Sequence, residues 1–150
     1  MRPRWILLIG ATALVLLAAG CGDDDTGGAP AGEEPAVATG QAGGVRVVSP
    51  ADGAAILEDP PPDLVVLDVR TPEEFEEGHL AGATLLDFYA PDFADRLTEL
   101  DHDVPYLLYC RSGNRSDQAR QMMLDLGFTD VADVDGGIVA WTGAGLPVVP

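Results

Sequence analysis

Unbroken apolar runs alternate along this chain with stretches whose apolar residues recur every three or four positions. Leu64-Val65-Val66-Leu67-Asp68-Val69 and Val104-Pro105-Tyr106-Leu107-Leu108-Tyr109 are nearly continuous runs, the pattern of strands covered on both faces. Val45–Val48, Ala83–Leu86 and Val131–Val134 are shorter runs of the same kind. Helical segments fall between them. Ser49-Pro50 offers a cap followed by proline at the first helical position, opening a helix weakened by Gly53 that stops before Pro60-Pro61-Pro62. Thr71-Pro72-Glu73-Glu74 combines a Thr cap, a proline at N1 and a Glu at N3, and Gly78 ends that helix. Pro91–Leu100 places Phe93, Leu97 and Leu100 along one side. Asp117–Leu126 does the same with Ala119, Met122, Met123 and Leu126 until Gly127 stops it. A short helix near Ile138–Trp141 closes the series. The alternation predicts one α/β domain over residues 45–150, with a mostly parallel central sheet and helices on both faces.

The first 44 residues follow another pattern. Arg2 and Arg4 precede an uncharged apolar stretch, Trp5–Leu17, which is short against the ~20 residues of a membrane-spanning helix. Ala18-Ala19-Gly20 then leads directly to Cys21. Small residues ending at a cysteine resemble a bacterial lipoprotein signal. The resemblance implies that residues 1–20 are removed and that Cys21 is diacylated, anchoring the chain to a membrane outside the cytoplasm. Residues 21–44 then form a tether of Asp, Gly, Ala, Glu, Pro and Thr with no apolar period to offset the entropy of ordering. Asp23-Asp24-Asp25 is a solvated charge run, since no glycine turn and closing Glu follow it.

Charge narrows the function classes. The chain carries 25 acidic residues against 8 arginines and no lysine, for a net charge of −17. Phosphate contacts need clustered cations, so nucleic acid is a disfavoured partner. Only two cysteines occur, Cys21 and Cys110, with no CxxC pair for a metal or redox site. His79 and His102 add too little to make a metal site, and no cofactor is implied.

Cys110-Arg111-Ser112-Gly113-Asn114-Arg115-Ser116 is the stretch that carries chemistry. It joins the apolar run ending at Tyr109 to the helix beginning near Asp117, which sets a thiol on a strand-to-helix turn. Loop amides and a helix N-terminus pointing at one spot make a cradle for negative charge. Such a cradle lowers a cysteine pKa and favours the nucleophilic thiolate. A buried cysteine beside surface arginines is the plainer reading. Two arginines and a glycine within six residues weigh against it.

Three stretches together resemble the rhodanese family of sulfurtransferases. They are Leu67-Asp68-Val69-Arg70 with Glu74-Phe75 and Gly78-His79-Leu80-Ala81-Gly82-Ala83; the Cys110–Ser116 loop; and Asp135-Gly136-Gly137-Ile138 with Ala140-Trp141. Leu85-Leu86-Asp87 departs from the family's usual residues before a proline. The resemblance implies a Cys110 persulfide formed from thiosulfate or a related donor and passed to cyanide, a thiol or a protein acceptor. The amides of Arg111, Ser112, Gly113, Asn114, Arg115 and Ser116 are expected to stabilise it, with Arg111 and Arg115 holding the donor's oxyanion. Asp68 and Arg70 are expected to brace the loop or pair with each other. His79 is expected as a turn residue, Trp141 in the core, and Glu73, Glu74, Glu76 and Glu77 as a solvated helix face.

Two other readings share these residues. Phosphatases and arsenate reductases of similar architecture have five residues between Cys and Arg, whereas four separate Cys110 from Arg115; Tyr109 stands where those enzymes place His. A non-catalytic binding or redox-sensing module is the other, and loss of the cysteine is its expected mark. Cys110 is present.

Overall fold

The computed structural model describes residues 43–150. The expected signal, Cys21 and nearly all of the tether lie outside the described residues. Five strands form one sheet: β1 (Gly44–Val48), β2 (Val65–Asp68), β3 (Ala83–Leu85), β4 (Tyr106–Tyr109) and β5 (Asp130–Val134), in the order β1-β5-β4-β2-β3. Every pairing between them is parallel. The connecting helices are α1 (Pro50–Glu58), α2 (Pro72–Glu76), α3 (Phe93–Thr98), α4 (Asn114–Leu126) and α5 (Gly137–Gly143). β1 starts at Gly44, one residue before the boundary expected from composition.

Parallel strands need both faces covered, and the alternation of side chains assigns each face its helices. Leu67, Val69, Leu108, Cys110 and Val131 pack with Phe93 and Leu97 of α3 and with Ala119 and Met123 of α4. Val66, Leu107, Tyr109, Ala132 and Val134 pack against Ala54, Ile56 and Leu57 of α1 and Ile138 and Trp141 of α5. The continuous apolar runs of β2 and β4 follow from this two-sided burial.

Local chemistry sets the helix starts. Ser49 Oγ accepts from the Asp52 amide, and Thr71 with Glu74 completes a reciprocal capping box. α4 begins at Asn114, three residues earlier than its apolar spacing suggests, because Gly113 turns the chain directly into it. α3 is shorter than expected, since Asp92 gives no side-chain cap.

Connections leave β2 for one edge of the sheet and leave β4 for the other. The crevice between these two central strands is therefore where the order reverses. Cys110 immediately follows β4, and Arg70 lies just beyond β2. The fold thus delivers both to one place.

Gly137 locks this junction. Its amide neighbour Ile138 donates to Cys110 O at 2.9 Å, and Val139 donates to Arg111 O at 3.1 Å. A Cβ on Gly137 would meet Cys110 O at 2.3 Å and Arg111 O at 2.8 Å, and its φ of +58° is also unfavourable for side chains. Gly137→Ala should cost at least about 2 kcal/mol in urea unfolding. A variant within about 0.5 kcal/mol of wild type would show that the loop yields readily there.

Candidate active site

β4 carries Cys110 into the interior, where the residue is 1% exposed. Burial alone would keep the thiol protonated. The backbone opposes it. Gly113 adopts φ +93°, a left-handed turn that brings its own amide to 3.1 Å from Cys110 Sγ. Because Gly113 has no side chain, it cannot cap α4, and the first-turn amides stay available. Burial pushes the thiol pKa up. Hydrogen bonds from the Ser116 hydroxyl and the amides of Ser116, Ser112 and Arg115 outweigh it and leave Cys110 below the ordinary thiol value. The loop thus offsets the cost of burying a sulfur anion.

The expected residues separate into distinct settings. Arg111, Ser112 and Asn114 are exposed on the loop, and Ser116 is fully buried beneath it. Arg115 is not free to reach an oxyanion in this conformation. Its Nη1 and Nη2 donate to Glu74 Oε2 and Oε1 at 2.6 and 2.8 Å, while its guanidinium lies 5.5 Å from the Tyr89 ring centre. Glu74 therefore leaves the solvated face to which its neighbours Glu73, Glu76 and Glu77 belong. A carboxylate at N3 of α2 serves both its own cap and a cation 41 residues away.

Asp68 and Arg70 pair with each other. Arg70 Nε donates to both carboxylate oxygens at 3.0 and 2.9 Å, and Nη2 donates to Oδ2 at 2.7 Å and to Gly78 O at 2.8 Å. The Tyr109 ring sits 5.6 Å from that guanidinium, and its hydroxyl accepts from the Leu80 amide at 3.1 Å. Burial and the nearby Asp68 charge hold the Tyr109 phenol well above its ordinary pKa, so it remains neutral. His79 stacks on Phe75 at 3.8 Å and has backbone partners, Phe75 O at its Nδ1 and Val149 across a short bridge. Trp141 is 2% exposed in the core, with Nε1 donating to Pro147 O.

Beside the loop opens a cleft of about 400 Å³ lined by Arg70, Glu74, Glu77, Arg111, Ile138 and Val139. The cleft presents exposed Arg111, Glu74 of the Glu74–Arg115 pair and the half-exposed Val139 beside the Cys110 loop. Sequence reasoning missed the roles of Glu74, Tyr109 and Asp133. Asp133 had a visible signal: a charge inside an apolar strand run needs a buried partner.

The comparisons with known proteins agree with this geometry. The family model described as the rhodanese-like domain matches residues 49–144. A sulfurtransferase from Allochromatium vinosum is 37% identical over 87 residues, spanning 58% of this chain and 79% of that protein. Thiosulfate sulfurtransferase GlpE from Pseudomonas putida is 42% identical over 77 residues, spanning 51% of this chain and 68% of its own. The crystal structure of a rhodanese-related protein from Thermoplasma volcanium matches with a TM-score of 0.61 and 32% identity, covering 69% of this chain and 97% of that one.

The Glu74–Arg115 pair gives this site an acid signature. Hydrogen bonding from Arg115 pulls the Glu74 carboxyl down to about 2. A depressed carboxyl contributes stability that is complete above its unfolded pKa and fades as pH falls toward the folded value. Glu74→Gln should therefore lose about 1–2 kcal/mol at neutral pH. The difference from wild type should shrink between about pH 4.5 and pH 2, as read by urea unfolding across pH. A difference that is constant across this range would rule out the ion pair as its source.

Proposed function

The chain belongs to the rhodanese-like domain family, and from that premise we propose that it is a sulfurtransferase working through a Cys110 persulfide. The observation that carries this reading is the convergence of the Gly113, Ser112, Arg115 and Ser116 amides on a buried sulfur. Relatives named sulfurtransferase and thiosulfate sulfurtransferase support the reaction class.

The Cys110 thiolate attacks the outer sulfur of thiosulfate or a related sulfane donor. The S–S bond of the donor breaks, sulfite departs with the bonding pair, and a persulfide remains on Cys110. Loop dipoles stabilise the anionic sulfur before and after transfer without reorganising. Cyanide, a small thiolate or a protein thiol then attacks the terminal sulfur, takes it as thiocyanate or a new persulfide, and regenerates the thiolate. Arg111 is the cation in position to meet an anionic donor at the cleft. Asp68 and Arg70 fix the β2 side of the site by pairing with each other and with Gly78 O.

The four residues between Cys110 and Arg115 support a cradle for one sulfur rather than for a phosphoryl group with its ring of oxygens. The retained cysteine argues for catalysis over a binding or sensing role. We place the protein outside the cytoplasm, held to the membrane by diacylated Cys21 and a tether. Arg2, Arg4, the apolar stretch and Ala18-Ala19-Gly20 support that placement. No nucleic-acid partner is proposed for a chain of net charge −17.

Thiosulfate-treated protein should gain one sulfur atom in its intact mass, and cyanide should remove that atom as thiocyanate. Cys110→Ser should keep the fold and lose transfer entirely. Efficient hydrolysis of aryl phosphates without persulfide formation would sink the sulfurtransferase reading.

Membrane placement has its own test. The chain made in a lipoprotein-processing bacterium should partition into the detergent phase of a membrane extraction. Cys21→Ala should remain an unmodified precursor. Wild-type-like processing and partitioning of that variant would exclude the lipid anchor.

A further inference from the structure

Asp133 is a charged residue inside β5, between Ala132 and Val134, and only 3% exposed. Its register partner on β4 is Leu108, so its side chain lies on the same sheet face as Cys110, two residues further along. Its Oδ1 makes no hydrogen bond, and Arg120 Nε stands 3.5 Å from Oδ2. Arg120 also pairs with Asp117, so its charge is shared. The charged and titratable groups facing Asp133 are Asp117 and Arg120 from α4 and, beyond Ser116, Cys110 from β4. On β1 its register partner is the uncharged Val47.

Ser116 lies between the two reactive groups. Its hydroxyl is fully buried, 3.2 Å from Gly113 O, and faces both the Cys110 sulfur and the Asp133 carboxyl. The hydroxyl's own hydrogen bond goes to Gly113 O, and the sulfur and the carboxyl are its other acceptor neighbours. We propose that Asp133 is a positioning residue for the Cys110 thiolate, acting through the Ser116 hydroxyl.

This inference rests on Cys110 being the nucleophile of the proposed sulfur transfer. When Asp133 is protonated, its own O–H donates to Ser116 Oγ and leaves the serine proton to the sulfur. When Asp133 is ionised, it competes with the thiolate for that single donor, and each anion destabilises the other. Burial pushes the Asp133 carboxyl up to about 6, with the Asp117 charge adding to the rise and Ser116 and Arg120 opposing it. Below that value the neutral acid supports the thiolate; above it the carboxylate withdraws support. Thiolate formation is therefore spread over a wider pH range than one independent ionisation.

The test is the pH dependence of Cys110 alkylation by iodoacetamide in the full chain, followed by mass at the peptide carrying Cys110. Asp133→Asn keeps the shape, stays neutral and can donate to Ser116. Its profile should collapse to a single ionisation at lower pH, with a thiolate fraction up to roughly tenfold higher where wild type is only partly ionised. In a Ser116→Ala background the same substitution should change the rate less than about twofold, because the route between the two groups is gone. Superimposable Asp133→Asn and wild-type profiles would overturn the proposal, as would an undiminished effect in the Ser116→Ala background.

Wild type supplies a second measurement that needs no folded variant. The Asp133 carboxyl carbon is titrated by NMR before and after Cys110 is carbamidomethylated. Removing the competing thiolate should lower its midpoint by at least about half a pH unit. An unmoved midpoint would also overturn the proposal. Neither readout involves sulfur transfer, so a failure to form persulfide is distinguishable from a failure of this coupling.

Discussion

A buried thiol whose pKa is held below its ordinary value against desolvation is the constraint on which the rest of this structure depends. Desolvation works against the thiolate, and water is too scarce at 1% exposure to compensate. Fixed backbone dipoles have to replace it. They converge on one atom only if the chain reverses within three residues of Cys110 and enters a helix at once. Gly113 provides the turn, and α4 provides orphan amides. The Cys110 and Arg111 carbonyls then point away from the sulfur, toward α5, where they accept from the Ile138 and Val139 amides. That docking brings the backbone of Gly137 so close to Cys110 and Arg111 that no side chain fits. A requirement at one sulfur thus reaches Gly137, at the start of α5.

The two faces of the sheet handle buried charge differently behind this loop. On one, Asp68, Arg70, Tyr109 and the Leu80 amide satisfy one another in a closed network, with the carboxylate also accepting from the Arg70 amide at 2.9 Å. Such a network holds β2, β4 and the segment after α2 in one arrangement. Removing Asp68 or Arg70 alone would strand the other's charge in the interior, which costs more than the intact pair contributes. On the other face, Asp133 shares Arg120 with Asp117 and leaves one carboxylate oxygen without a partner. The closed network is scaffold; the open one retains freedom to respond.

Patterns that depend on near neighbours were legible in the sequence. The apolar runs mark β2 and β4 because both sheet faces are covered, and Thr71 with Glu74 marks the start of α2 because a capping box is local chemistry. Cys110 stood out for the same reason, since the glycine and the helix that surround it are adjacent in sequence. Long-range pairing was not legible. Nothing near Glu74 announces Arg115, so one glutamate among four read as a solvated face, and Arg115 read as free for substrate. The start of α4 was placed late because apolar spacing begins only at Ala119, whereas Asn114–Ser116 is helical through its position after the turn. Asp133 was passed over inside Val131–Val134, where a partner on α4 is needed to keep a carboxylate in a buried strand.

The Glu74–Arg115 pair changes how the loop treats a substrate. A guanidinium tied in a bidentate pair offers its remaining edge, not its full charge, and Tyr89 covers part of it. The cleft wall brings further negative charge from Glu77, within a chain whose net charge is −17. Positive side chains therefore cannot be the main source of anion stabilisation at the sulfur. Amides can be, because their dipoles are fixed by the fold, act at close range, and are little screened by salt when buried. This division of labour fits the proposed transfer of a sulfur atom bonded to Cys110. A free oxyanion needs cations at its periphery, whereas a sulfur bonded to the protein needs donors aimed at one point, and the turn at Gly113 supplies them there.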